Sequence, residues 1–485
     1  MKKLTTSLFA LALLASCNVL DKDPLPSISP ANFFQTADDA EAALTAAYDG
    51  IQGTGAYAQD LNVVGEMPSD NCSSTNGDVA AMDKIAWTST TSQVNNVYRE
   101  AYIAINRANA VLKYVPALQM SEARKNSILG EARFLRALSY FNLVKLYGGV
   151  PLRLEPTESG DPAVLNLPRA TVEQVYQQVV ADLTEADGLT PAANATRASK
   201  GSVNALLARV QLTQRNWAAA QAAANQVITG GGGYALAGSF KSLFPADNKA
   251  ESVFEVQYAG NPDGGTFNIL PDLLLPSPPA TYSFPKFNIP TAELLAYADT
   301  VNDLRWKFQG VTNAGRDHGS YVDGGRGTGN DDGPFVYKWP SNPNGFNSPD
   351  NYYVLRYADV LLMYAEATNE LTGPSGEALA KLNLVRQRAG LPALTSTSSQ
   401  AATKQTLRNE IDRQRRLELA FEGERWFDLL RYARHNQAEP GAHAVTALDL
   451  IAQQRQGQRD VNYLLFPIPL GELNTNTQIQ QNPGY

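Results

Sequence analysis

Residues 121–151, SEARKNSILGEARFLRALSYFNLVKLYGGVP, decide the fold class. Ile128, Leu129, Ala132, Leu135, Leu138, Phe141 and Val144 recur at intervals of three and four, which places them on one stripe of an α-helix. Ser121 stands where an N-cap belongs, with Glu122 in the first turn, and Gly148, Gly149 and Pro151 halt the pattern. Just upstream, Tyr98, Ala101, Tyr102, Ile105, Asn109 and Leu112 draw a second stripe with the same period. Two such stripes joined by a short connection predict a helical hairpin.

The pattern spreads outward from there. Thr171 and Gln174 form a capping box opening a helix through Val175, Val179 and Leu183, and Val203, Leu206, Leu207 and Val210 mark the next one. An alanine-rich helix from Trp217 to Ile228 runs into four glycines. Late in the chain Leu355, Ala358, Leu361, Leu362 and Ala365 share a stripe before Gly373-Pro374. Ser375 then starts a helix ending near Gly390, and a longer one covers Leu407, Ile411, Leu417 and Phe421. The expected class is all-α dominated, with helix pairs stacked in the manner of tetratricopeptide repeats, although their spacing is not a clean 34-residue period. Between the helical blocks, residues 260–350 lose periodicity and fill with Gly, Pro, Asn, Asp and aromatic residues. An aromatic-rich segment of that length points to function rather than disorder.

Residues 1–16 read as a signal peptide: Lys2 and Lys3, then an apolar run over 4–15 too short to span a bilayer. Leu14-Ala15-Ser16 before Cys17 is a lipobox, so Cys17 is the expected lipidation site and 17–30 a polar tether. Two or three acyl chains hold such an anchor stably, at about 0.8 kcal/mol per buried methylene. Only Cys72 then remains, which leaves no intrachain disulfide. Net charge is −8, and losing the leader's two lysines takes it to −10, so nucleic acid is not an expected partner.

Catalytic signatures are missing from the sequence. His318, His435 and His443 do not sit at metal-ligand spacing, and neither an HExxH nor a Gly-x-Ser-x-Gly motif occurs. Residues 325–329, GRGTG, lack the strand and helix that a phosphate loop needs. Asn330-Asp331-Asp332-Gly333 does not match EF-hand calcium spacing and reads as a solvated turn, so no cofactor is expected. In the charged run from Arg413 to Arg431, Arg415 precedes Glu418 by three and Asp428 precedes Arg431 by three, with apolar residues between. The pattern predicts ion pairs that fix helix packing. A surface glycoside hydrolase with two carboxylates, and a helical scaffold for protein contacts, are the alternative classes.

Several segments in order resemble the SusD/RagB-like outer-membrane lipoproteins. They are Cys17 with Leu20-Asp21; Arg133-Phe134-Leu135-Arg136-Ala137; Leu355-Arg356-Tyr357-Ala358-Asp359; Arg425-Trp426-Phe427-Asp428-Leu429; and Gln481-Asn482-Pro483-Gly484-Tyr485. The resemblance implies a SusD-like fold with about four tetratricopeptide-like pairs and a loop-rich ligand-facing region. It implies one body made of an N-terminal helical region (31–259), the loop region (260–350) and a C-terminal helical region (351–485). It further implies a non-catalytic, lipid-anchored outer-membrane protein exposed at the cell surface. Such a protein captures an oligosaccharide, or in the RagB branch a peptide, and acts as the lid of a SusC-like TonB-dependent transporter.

Sugars offer apolar C–H faces to aromatic rings and hydroxyls to planar polar groups. On that chemistry Tyr282, Trp306, Tyr321 and Trp339 are the expected platform, with Trp87, Asp70 and Asn71 approaching from the N-terminal half. Ser69-Asp70-Asn71 resembles a loop that the family carries near its ligand side.

Overall fold

The computed structural model describes residues 30–244, 247–260, 266–277, 280, 282–307, 312–313, 316–317, 322–323, 334–338 and 345–485. The leader, Cys17, most of the tether, His318, Tyr321, Trp339 and residues 325–333 lie outside them. Among the described residues, seven helices of 7 or more residues form the first block: α1 (Ala37–Asp49), α2 (Asp60–Glu66), α3 (Ser92–Tyr114), α4 (Glu122–Tyr147), α5 (Val172–Leu189), α6 (Lys200–Thr213) and α7 (Trp217–Thr229). The second block holds α8 (Tyr357–Thr372), α9 (Gly376–Arg388), α10 (Lys404–Glu418), α11 (Arg425–Ala438) and α12 (Ala447–Gln454).

Helix ends follow their local chemistry. The Thr171 hydroxyl accepts from the Gln174 amide while the Gln174 side chain accepts from the Thr171 amide, a reciprocal box that starts α5. Ser375 caps α9 through the Ala378 amide. Ser121 occupies the N-cap of α4 but makes no side-chain cap; its carbonyl takes the Lys125 amide instead. Gly148, at φ +74°, closes α4 as expected.

Consecutive helices pack in order, α3 on α4, α4 on α5, α5 on α6 and α6 on α7. The stack then continues across the sequence gap, because α7 packs on α8, which packs on α9 and α10. Gln221 donates to the Thr368 hydroxyl at 2.8 Å along this seam, and Arg209 reaches Asp359 at 2.7 Å. The two helical blocks are therefore one pile. α4 lies at its centre: from Ser127 onward nearly every side chain is buried, polar Arg136 included, which Asp182 holds at 2.6 Å. That helix has more than the single buried stripe its periodicity suggests.

Strands β2 (Ser252–Val256) and β4 (Tyr352–Arg356) pair antiparallel, Ser252 opposite Arg356 and Val256 opposite Tyr352. Leu355 thus belongs to a fully buried strand, and α8 begins two residues later than its stripe suggests. A continuous apolar run buried on both faces fits a strand as well as a helix. Likewise α10 ends at Glu418, short of Phe421, which adopts φ +70° inside a turn. That turn approaches α2 so closely that a Cβ on Gly65 would sit 1.9 Å from the Gly423 carbonyl oxygen.

A buried charge cluster joins the pieces. Arg356 reaches Glu251 at 2.6 Å, Glu422 at 2.7 Å and Glu418 at 3.1 Å. Arg305 bridges Asp303 at 2.6 Å and Glu418 at 3.2 Å; Arg388 bridges Glu251 and Glu418; Lys338 bonds Glu422. Four cations thus face four carboxylates out of water. Burial alone would raise Glu418, but Arg388, Arg356 and Arg305 hold it down at about 2. The charged run after Arg413 does fix packing, though with partners other than its nearest neighbours. Arg415 pairs with Asp359 and Asp428 rather than Glu418, whereas Asp428–Arg431 forms as expected at 2.9 Å. Removing one member of a buried pair strands a charge, so Arg356→Met is expected to cost about 3–5 kcal/mol. The measurement is the shift in the urea unfolding midpoint.

Candidate functional site

The loop after α2 and the middle segment are stitched together. Strand β1 (Cys72–Ser73) pairs antiparallel with β3 (Ile289–Pro290), and the Thr291 amide donates to the Asn71 carbonyl at 3.0 Å. Ser74 donates to the Lys286 carbonyl at 2.7 Å, and Asn76 to the Pro285 carbonyl at 2.7 Å. The fold therefore brings the expected N-terminal loop against the expected aromatic segment. Sequence separation of more than 200 residues hides this pairing.

On this face Tyr282 is 53% exposed and stacks on Phe346, ring centroids 5.6 Å apart and planes 16° from parallel. Phe284 adds a half-buried third ring, 6.2 Å from Phe346. Lys286 holds the segment by donating to the Tyr282 carbonyl at 2.9 Å, with its ammonium 3.9 Å from the centre of the Phe284 ring. The Phe346 amide is fixed by Asp272 at 2.9 Å. Beside β3, the amide group of Asn288 is buried with no hydrogen-bond partner among the described residues. Phe284, Phe346 and Asn76 escaped the sequence reading, because Phe lacks the polar tip that singles out Trp and Tyr.

The other expected residues take different places. Trp306 is 1% exposed and packs 5.9 Å from Phe421, so it offers no ring face to solvent. Trp87 is 2% exposed within a cluster with Trp426 and Phe466, and its indole donates to the Tyr485 hydroxyl at 2.7 Å. Both differ from the expected platform role, since a large ring buried with neighbours on every side stabilises the core. Asp70 lines a polar cleft of about 470 Å³ with Ser69, Glu293, Arg416 and Gln453. Its carboxylate is clamped by Arg425 at 2.8 and 3.0 Å. Burial would raise that carboxyl, but Arg425 and Arg416 keep it below its ordinary value. Asn71 is fully buried, donating to Glu66 at 2.8 Å and accepting from Arg416 at 3.0 Å. These two residues hold the loop rather than face outward.

Two of the histidines, distant from metal-ligand spacing in sequence, meet in the fold. His435 Nδ1 and His443 Nε2 lie 3.0 Å apart, and Glu370 and Glu439 come within reach of His435. Glu370, however, is already occupied by Arg408 at 2.6 Å and Lys404 at 2.9 Å, cations standing where a metal would have to sit. Burial lowers both imidazoles, His443 to about 2.

The described residues thus form a helical stack that presents an aromatic loop face, with many of its buried carboxylates held in ion pairs. Residues 289–485 match the model of the SusD family, and residues 20–212 match a second described as starch-binding and associating with the outer membrane. The chain belongs to the SusD family, and the relatives described below whose names state an activity are named for binding, not for catalysis. It is 27% identical to a SusD-like protein of Formosa agariphila over the full length of both chains. It is 26% identical to the starch-binding protein SusD of Bacteroides thetaiotaomicron, over 89% of this chain and 86% of that one. Among solved structures, a laminarin-binding SusD-like protein superposes with TM-score 0.75 at 27% identity, covering 93% of this chain and all of that one.

Glu66 anchors the loop from beneath. Burial pushes its carboxyl up to about 7, although Asn71 and the Phe421 and Gly423 amides donate to it. A carboxyl raised on folding from 4.5 binds more protons in the folded state across that interval, so its contribution to stability falls as pH rises from about 4.5 to about 7. The urea midpoint of the wild type is expected to decline more steeply over this window than that of Glu66→Gln.

Proposed function

We propose that this chain is a lipid-anchored, surface-exposed outer-membrane protein that binds an oligosaccharide on the Tyr282 face and delivers it, as a lid, to a SusC-like TonB-dependent transporter. The observation that carries the reading is the exposed Tyr282 ring, braced by Phe346 and Phe284 beside the polar 73–76 loop. Such a surface is a stacking plane for the apolar face of a sugar, with amides and hydroxyls at its edge. Relatives named for starch and laminarin binding support a glucan as the first class to test. Cys17 carries the lipid, residues 17–30 form the tether, and residues 260–350 form the ligand-facing region between helical regions 31–259 and 351–485. Tyr321 and Trp339 complete the platform in this reading, Asp70 and Asn71 hold the neighbouring loop, and Trp87 and Trp306 serve the core.

Tyr282→Ala is expected to weaken binding to the preferred polysaccharide by about tenfold, roughly 1.4 kcal/mol, in affinity electrophoresis against starch, laminarin and other glycans. Unchanged mobility with the fold intact would remove the site from this face, and binding of peptides alone would replace the ligand class. Cys17→Ala is expected to abolish fatty-acid labelling and release the protein from the membrane fraction. Detergent extraction of the wild type is expected to recover a large barrel with it.

A further inference from the structure

A second cavity, of about 570 Å³, opens along α3, between that helix, the segment after α4 and the short helix Leu470–Thr475. It shares no residue with the loop face. Its size lies inside the range of small-molecule sites and gives room for roughly two or three sugar rings. Tyr98 and Tyr102, ring centroids 4.9 Å apart, supply an aromatic wall, Asn95, Asn106 and Thr157 add polar groups, and Glu472 adds a carboxylate beside Arg99, Arg107 and Arg153.

Two side chains in the wall are unfinished. Tyr98 is 5% exposed, and among the described residues its hydroxyl has no hydrogen-bond partner within bonding geometry; its neighbour Tyr102 spends its own on the Pro151 carbonyl at 2.8 Å. Leaving a buried hydroxyl unpaired is costly, and a ligand atom is one way to pair it. Arg153 is the second. Arg99 has Glu100 and Arg107 has Asp49, but among the described residues no carboxylate pairs with Arg153, whose guanidinium touches only the Leu165 carbonyl. A guanidinium without an acid partner is a ready clamp for a carboxylate.

We propose that this cavity is a second carbohydrate site, selective for acidic sugars, with Arg153 holding the uronate carboxylate and Tyr98 reading a hydroxyl. The site is independent of whether the Tyr282 face binds a glycan. The test is calorimetric titration of the full-length protein in detergent with tri-galacturonate and, separately, with maltotriose. Tri-galacturonate is expected to bind and to weaken with added salt. Arg153→Gln is expected to lose about tenfold in affinity and Tyr98→Phe about threefold, both with unchanged melting temperature, while Tyr282→Ala binds as the wild type does. No binding at millimolar tri-galacturonate, equal binding by Arg153→Gln and Tyr98→Phe, or loss confined to Tyr282→Ala each overturns the site.

Discussion

The charge cluster around Glu418 and Arg356 is the constraint on which the rest depends. Its members come from the segment before β2, the irregular middle, β4, α9 and the end of α10, so it is where the loop region is fastened to the helical pile. Buried ion pairs often add little net stability compared with apolar residues of the same shape. What they do add is geometry, because each guanidinium must meet its carboxylates within a few tenths of an ångström. Apolar packing alone would let a long segment rich in Gly and Pro settle in several registers. Paired charges penalise every register but one.

That fastening explains how the proposed recognition face can be built from loops. Tyr282, Phe284 and Phe346 lie on segments without long regular elements, yet each is held by a specific bond: Lys286 to the Tyr282 carbonyl, Asp272 to the Phe346 amide, Asn76 to the Pro285 carbonyl. Sites carried by loops on a rigid support can vary while their base stays constant. The Asp70–Arg425 clamp and Asn71, which hydrogen-bonds both Glu66 and Arg416, belong to the support.

Much of this was legible in the residues. The stripes of α3 and α4, the capping box of α5 and the stops at Gly148 and Gly373 are local facts, written by neighbours three or four positions apart. What escaped was non-local. Leu355 joins a strand because its partner near Phe254 lies a hundred residues away, and α10 stops at Glu418 because the following turn must present two amides to Glu66. The tryptophans illustrate the same limit from the other side: composition marks them as stacking residues, but only packing decides whether a ring faces water or Phe466. His435 and His443, eight apart, meet because a turn after α11 folds one back on the other.

Pairing β2 with β4 has a consequence for how such a protein diversifies. Since Val256 stands opposite Tyr352, the excursion between them begins and ends side by side. The entropy of closing an excursion rises only slowly with its length, about 0.6 kcal/mol for each doubling. Insertions, deletions or exchange of stretches between its anchored residues, which include Ile289–Pro290, Asp303, Arg305 and Lys338, therefore cost the scaffold little. If the proposed face is the binding site, a lineage could thus change its ligand by swapping such stretches, and a protein engineer could transplant them between members in the same way.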